Sequence, residues 1–176
     1  TLVVAGTETT ATTLAWMMHF LTDYPAVQRT VQQEADAVLG EALLLPEFQA
    51  HERLRYIEAM AYETLRLKSV APVLSLEPLQ AVEVGGLHLP AGTAVFLLTR
   101  YGGLHAPAFA NADQFQPERW LTASQEPHTG HTPQAFMPFG GGPRVCPGRH
   151  LALLEIRTVM AMLGRNFTLT TPVDAP

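Results

Sequence analysis

The chain has 176 residues, 47% hydrophobic and 15% charged, with 11 Lys and Arg against 16 Asp and Glu for a formal charge of -5. That balance argues against a nucleic-acid or anionic-membrane footprint, and the apolar content argues against disorder and supplies a core for one domain. The single cysteine, Cys146, cannot form an internal disulfide, so a reducing, cytoplasmic setting is the expectation rather than a bridge-stapled secreted scaffold.

In chain order, "TLVVAGTETTATTLAWMMHFL" opens without an initiating methionine or a signal-peptide pattern, and the chain reads as a piece of a longer one. This stretch is apolar around much of its circumference, which predicts a helix buried on several sides. Thr7, Glu8, Thr9 and Thr10 near its centre make it a poor membrane span. "TDYPAVQRTVQQEADAVLG" predicts an amphipathic helix with Asp23 as cap, Pro25 in the first turn and Gly40 as stop. A third helix is predicted from Leu54 to Lys68, where Leu54, Ile57, Ala61 and Leu65 recur at helical spacing before "SVAP" breaks the pattern. Two short strand-like runs flank Gly85-Gly86, the signature of a tight hairpin, and a third run follows Pro90-Ala91-Gly92. Residues 102–138 read as an irregular, ordered meander rich in Gly, Pro, Asn and Asp. A last helix is predicted from Arg149 to Leu163, with Gly164 near its stop. The fold class is mainly α with a small β-sheet.

The chemistry centres on "FGGGPRVCPGRH", residues 139 to 150. Gly140, Gly141 and Gly142 allow positive φ and close backbone approach, while Pro143 and Pro147 stiffen the turn around Cys146. A sulfur just before a helix lies near the positive end of the macrodipole and its unpaired N–H donors. A helix terminus contributes about 0.3–1 kcal/mol and at most ~2, too little to ionise a thiol completely, whereas a coordinating metal deprotonates one outright. From these residues alone three readings are open: an inert cysteine, a redox thiol and a metal ligand. A phosphate loop is disfavoured, because no Lys-Ser or Lys-Thr follows the glycines.

Phe139, Gly142, Arg144, Cys146 and Gly148 match, place for place, the F-x-x-G-x-R-x-C-x-G signature of the cytochromes P-450, and the chain resembles that family over its whole length. The resemblance implies that Cys146 is the thiolate ligand of haem iron, pushing electron density toward bound oxygen, that Arg144 pairs with a haem propionate and that Phe139 packs beside the sulfur. "ETLR" holds Glu63 and Arg66 three residues apart, worth only ~0.2–0.5 kcal/mol as an exposed pair. It resembles the family's E-x-x-R helix, whose ion pair is joined by the arginine of a P-E-R segment, here Arg119 in "PERW". These three are assigned a structural role: a carboxylate between two guanidiniums stays hydrogen-bonded while buried. "AGTETT" resembles the family's oxygen-binding groove, in which Ala5 and Gly6 leave room over the iron and Glu8 and Thr9 deliver protons through water.

The resemblance further implies a carboxyl-terminal portion of the P-450 fold, residues 1–176 as one partial domain running from the middle of the distal oxygen-binding helix onward. The implied cofactor is haem b (heme b, iron protoporphyrin IX). The implied partners are dioxygen, a small apolar organic substrate and a ferredoxin or flavoprotein electron donor, with no nucleic acid and no membrane segment in this chain. Val70, Val73 and Leu74 are candidate substrate contacts by this resemblance; as bare sequence they read rather as core. Leu76, followed by Glu77, occupies the strand position where many members place another propionate-binding basic residue. His128 and His131 read as solvent-exposed loop residues, and Arg149, His150 and Arg157 as either a docking face for an acidic donor or a plain helix surface. The expected activity is monooxygenation. The alternatives are a peroxide-using member of the family and a non-catalytic fragment that binds haem poorly or not at all.

Overall fold

The computed structural model describes residues 2–42, 48–105, 107–121 and 135–171; His128 and His131 lie outside them. Helices dominate: α1 (Leu2–Asp23), α2 (Pro25–Leu39), α3 (Arg55–Leu67), the short α4 (Thr99–Gly103) and α5 (Arg149–Asn166). Short 3-10 helices cover Phe48–Arg53, Pro117–Trp120 and Gly142–Arg144. Among the described residues no helix is long and apolar enough to cross a membrane.

The core lies where α1, α2, α3 and α5 meet. Met17, Phe20 and Leu21 of α1, Val27, Val31 and Ala35 of α2, Ile57, Met60 and Ala61 of α3, and Ile156, Met160 and Ala161 of α5 are buried there. Burying each large apolar side chain contributes about 1.5–3 kcal/mol. Burial of α1 on several sides holds only for its carboxyl half. In its amino half Val4 is 79% exposed and Ala5, Glu8 and Thr9 face outward, because among the described residues nothing packs over that side of the helix, although Thr10 on the opposite side is buried.

Local chemistry sets the helix ends. Pro25 opens α2 at a position whose N–H lacks a helical partner in any case. The expected cap, Asp23, is instead the last residue of α1, and Tyr24 takes the cap position with no side-chain bond. Gly40 ends α2 at φ 57°, its N–H donating to Asp36 O at 2.9 Å. Helix α3 is capped from outside: Glu34 of α2 accepts from Tyr56 N at 2.7 Å and Ile57 N at 2.9 Å. Burial pushes the Glu34 carboxyl above its usual range, opposed by these backbone bonds. Gly164 does not stop α5, which continues to Asn166. The glycine is buried against α2, and a Cβ there would lie 2.8 Å from Val31 Cγ1, so it serves close helix packing.

The strands form two two-stranded antiparallel sheets rather than one. β2 (Val82–Val84) and β3 (Leu87–Leu89) make the expected hairpin, with Val84 opposite Leu87. Gly85 at φ 56° and Gly86 at φ 80° supply the two positive dihedrals that such a turn requires. The third run, β4 (Val95–Leu97), leaves the hairpin and pairs with β1 (Leu74–Leu76), Leu76 opposite Val95.

Candidate functional site

Two constellations carry the chemistry-bearing residues. The first is buried and built on α3. Glu63 and Arg66, one turn apart, are fully enclosed. Arg66 donates to Glu63 through Nε to Oε2 at 2.8 Å and through Nη2 to Oε1 at 2.7 Å, a bidentate pair. Arg119 Nε, from the 117–120 turn, donates to Oε1 at 2.9 Å. Gln116 N reaches Oε1 at 2.9 Å and Trp120 Nε1 reaches Oε2 at 2.9 Å. The remaining Arg66 donors go to carbonyls of the meander: Nη1 to Gly103 and Ala112, Nη2 to Gln114. Two buried charges are tolerable only with such complete satisfaction, since each loses several kcal/mol of hydration, of order ~20 kcal/mol in the idealised limit.

Gly103 is fixed by this cluster, because a Cβ there would lie 2.8 Å from Arg66 O. Trp120 and Gly103 were not singled out from the sequence, although "PERW" displays the tryptophan beside Arg119. On the outer side Tyr56 Oη donates to Glu118 Oε1 at 2.6 Å, fastening the same turn to the start of α3. Burial, then the bond to Glu118, pushes the Tyr56 phenol well above its usual range. Tyr62 lies beside Trp120 with ring centroids 5.6 Å apart, and burial followed by the charge of Glu58 pushes its phenol up to about 12.

The second constellation faces outward. Gly141 through Pro147 are all exposed, Cys146 among them. Gly140 at φ 74° and Gly142 at φ 61° bend the loop through backbone states that other residues rarely adopt. The bend is closed by Cys146 N donating to Phe139 O at 2.8 Å, which ties the first and fourth identified residues together. Arg144 lies in the Gly142–Arg144 turn, exposed and without an ion pair among the described residues. Gly148 caps α5, two residues after the thiol.

Glu8 and Thr9 lie on the outward side of α1, with Thr9 Oγ1 donating back to Ala5 O at 2.8 Å. A Cβ at Gly6 would meet nothing within 4 Å. Among the described residues no hydrogen bond or ion pair joins Glu8 or Thr9 to the Cys146 loop. Val70 and Leu74 are half-buried and Val73 is exposed, so none of the three belongs to the core. Leu76 is exposed on β1, and that strand offers no basic side chain. Of the three basic residues considered as a docking face, Arg157 pairs with Glu58 at 3.2 Å and is largely covered. Only Arg149 and His150 remain exposed.

Whether this donor set suits a haem can be tested on the chain itself. Among the described residues no three His, Cys, Asp or Glu side chains gather at one place. A metal at Cys146 Sγ would have to bring most of its ligands with it, as an iron porphyrin does. The exposed thiol, the exposed guanidinium two residues away and the exposed apolar Val145 between them fit such a group.

Comparisons with known proteins agree. A family model described as Cytochrome P450 matches residues 1–176. Cytochrome P450 93G1 of Oryza sativa subsp. japonica is 36% identical over 169 residues, which cover 94% of this chain and 32% of the rice protein. Human cytochrome P450 4V2 is 31% identical, covering 95% of this chain and 31% of that protein. The crystal structure of the cytochrome P450DA heme domain superposes with a TM-score of 0.87 at 33% identity, over 99% of this chain and 38% of that one. The chain thus spans about a third of the length of its curated relatives. With its whole length matched in sequence and in fold, the chain belongs to the cytochrome P450 family.

Proposed function

We propose that the chain is the carboxyl-terminal, haem-binding third of a monooxygenase, in which Cys146 Sγ would be the thiolate that holds the iron of haem b. The observation that carries this reading is the exposed thiol at the close of a glycine-shaped loop, held by the bond from Cys146 N to Phe139 O. When bound, the haem would supply the activation of dioxygen. Every other task falls to the chain. Arg144 would pair with a haem carboxylate, Phe139 would shield the sulfur, and Gly142 and Gly148 would let the loop approach the macrocycle. Ala5 and Gly6 would leave room above the ring. Glu8 would hold a proton that Thr9 Oγ1 passes on, which requires the hydroxyl to turn away from Ala5 O. Val70, Val73 and Leu74 would contact a small apolar substrate. Arg149 and His150 remain for a ferredoxin or flavoprotein donor, with Arg157 reassigned to holding Glu58.

Glu63, Arg66 and Arg119 take no part in the chemistry and hold the thiol-bearing side of the site together. The Glu8–Thr9 pair favours oxygen activation over peroxide use, because a proton relay is needed only when dioxygen is cleaved. The test is the carbon monoxide difference spectrum of the reduced full polypeptide. A strongly red-shifted Soret band is expected; haem bound without that band would contradict thiolate ligation, and no haem uptake by this chain alone would favour the non-catalytic fragment.

A further inference from the structure

Thr10 Oγ1 is the one buried side-chain polar atom without a hydrogen-bond partner among the described residues, on a residue only 7% exposed. Its neighbours in α1 show that a partner was within reach. Thr9 and Thr13 each donate to the carbonyl four residues back, Ala5 O at 2.8 Å and Thr9 O at 2.9 Å. The equivalent acceptor for Thr10 is Gly6 O, and the Thr10 hydroxyl does not take it. A buried hydroxyl that forgoes an available bond is costly unless something else satisfies it.

Thr10 and Thr13 stand three residues apart, hence on one face of α1, with Cβ atoms about 5–6 Å apart. Both are buried, on the same side of the helix as Met17 and opposite to Glu8. The Thr13 hydroxyl has spent its proton on Thr9 O and keeps lone pairs to accept with. An internal water needs two to four polar partners, and this pair offers two. We propose that Thr10 and Thr13 hold an internal water on the core side of α1, bonded to Thr10 Oγ1 and donating to Thr13 Oγ1. The site is separate from the outward-facing Glu8 and Thr9 and does not depend on the activity proposed above.

The test is thermal unfolding of the full polypeptide, haem-loaded and haem-free, for Thr10→Val, Thr13→Val, Thr10→Ser and the double valine variant. Thr10→Val keeps the shape and removes the hydroxyl. With a bound water its midpoint should fall by about 1–3 °C in both haem states of a polypeptide this long, and the double variant should lose clearly less than the sum of the singles, since one water serves both. Thr10→Ser should retain the coupling. An unchanged or raised midpoint in Thr10→Val would overturn the proposal, and so would a loss confined to the haem-loaded protein, which would make the haem the partner. Should the valine variants fail to fold, a high-resolution crystal structure of the unaltered polypeptide decides: a water within hydrogen-bond distance of both hydroxyls supports the site, and its absence refutes it.

Discussion

The Glu63 cluster and the Cys146 loop lie at opposite extremes of how a chain can spend its polar groups. In the first, the charges are enclosed and every donor of Arg66 is spoken for within the chain. In the second, among the described residues the backbone alone is bonded, and the thiol and the Arg144 guanidinium face outward. The first constellation is complete by itself and therefore structural. The second has chemistry to offer and nothing among the described residues to offer it to, which is the arrangement expected of a ligand site.

The sharpest way to break this contrast is at its buried end. Glu63→Ala would leave Arg66 enclosed without its carboxylate, and urea unfolding should show a loss of about 3–5 kcal/mol or failure to fold. Gly103→Ala should follow at about 1–3 kcal/mol, because the new Cβ would meet the Arg66 carbonyl, which is backbone and cannot swing aside. Gly164→Ala should cost less than Gly103→Ala. There the obstacle is the Val31 Cγ1 methyl, which can change rotamer, and alanine recovers up to about 1 kcal/mol of helix propensity. Combined with Val31→Ala, that substitution should become neutral or stabilising in the same measurement.

The smallest effect is alkaline. The Tyr62 phenol is raised to about 12, so from pH 10 upward the unfolded chain releases a proton that the folded chain retains. Stability therefore falls as pH rises through that window. Tyr62→Phe should make the decline between pH 10 and 12 shallower, and an unchanged slope would mean that Tyr62 titrates as an ordinary exposed phenol.

What could be read from the sequence follows the same division. The Cys146 loop was visible because its work is done by local identities, glycine, proline, arginine and cysteine at fixed offsets. The Gly85-Gly86 turn was visible for the same reason. The partners of Arg66 were hidden because they are carbonyls of Gly103, Ala112 and Gln114, which leave no side-chain trace. Gly164 read as a helix stop because a glycine that ends a helix and one that lets a neighbour approach are the same letter; only Val31, far off in sequence, tells them apart. The first helix was misjudged over its amino half because apolar composition reports what a surface prefers, not whether the described residues supply a cover for it. Arg157 looked like a free surface charge until folding brought Glu58 beside it.

The central claim is that Cys146 Sγ is an outward-facing ligand with no duty in holding the fold. The direct test is Cys146→Ser in the full polypeptide, with the haem-free unfolding midpoint and the reduced carbon monoxide spectrum taken on the same preparation. An exposed substitution of this kind should leave the haem-free midpoint unchanged, within the equivalent of about 0.5 kcal/mol, while the strongly red-shifted Soret band disappears. A variant that kept that band would contradict the assignment of the sulfur, and one that lost its fold without haem would contradict the division between the two regions.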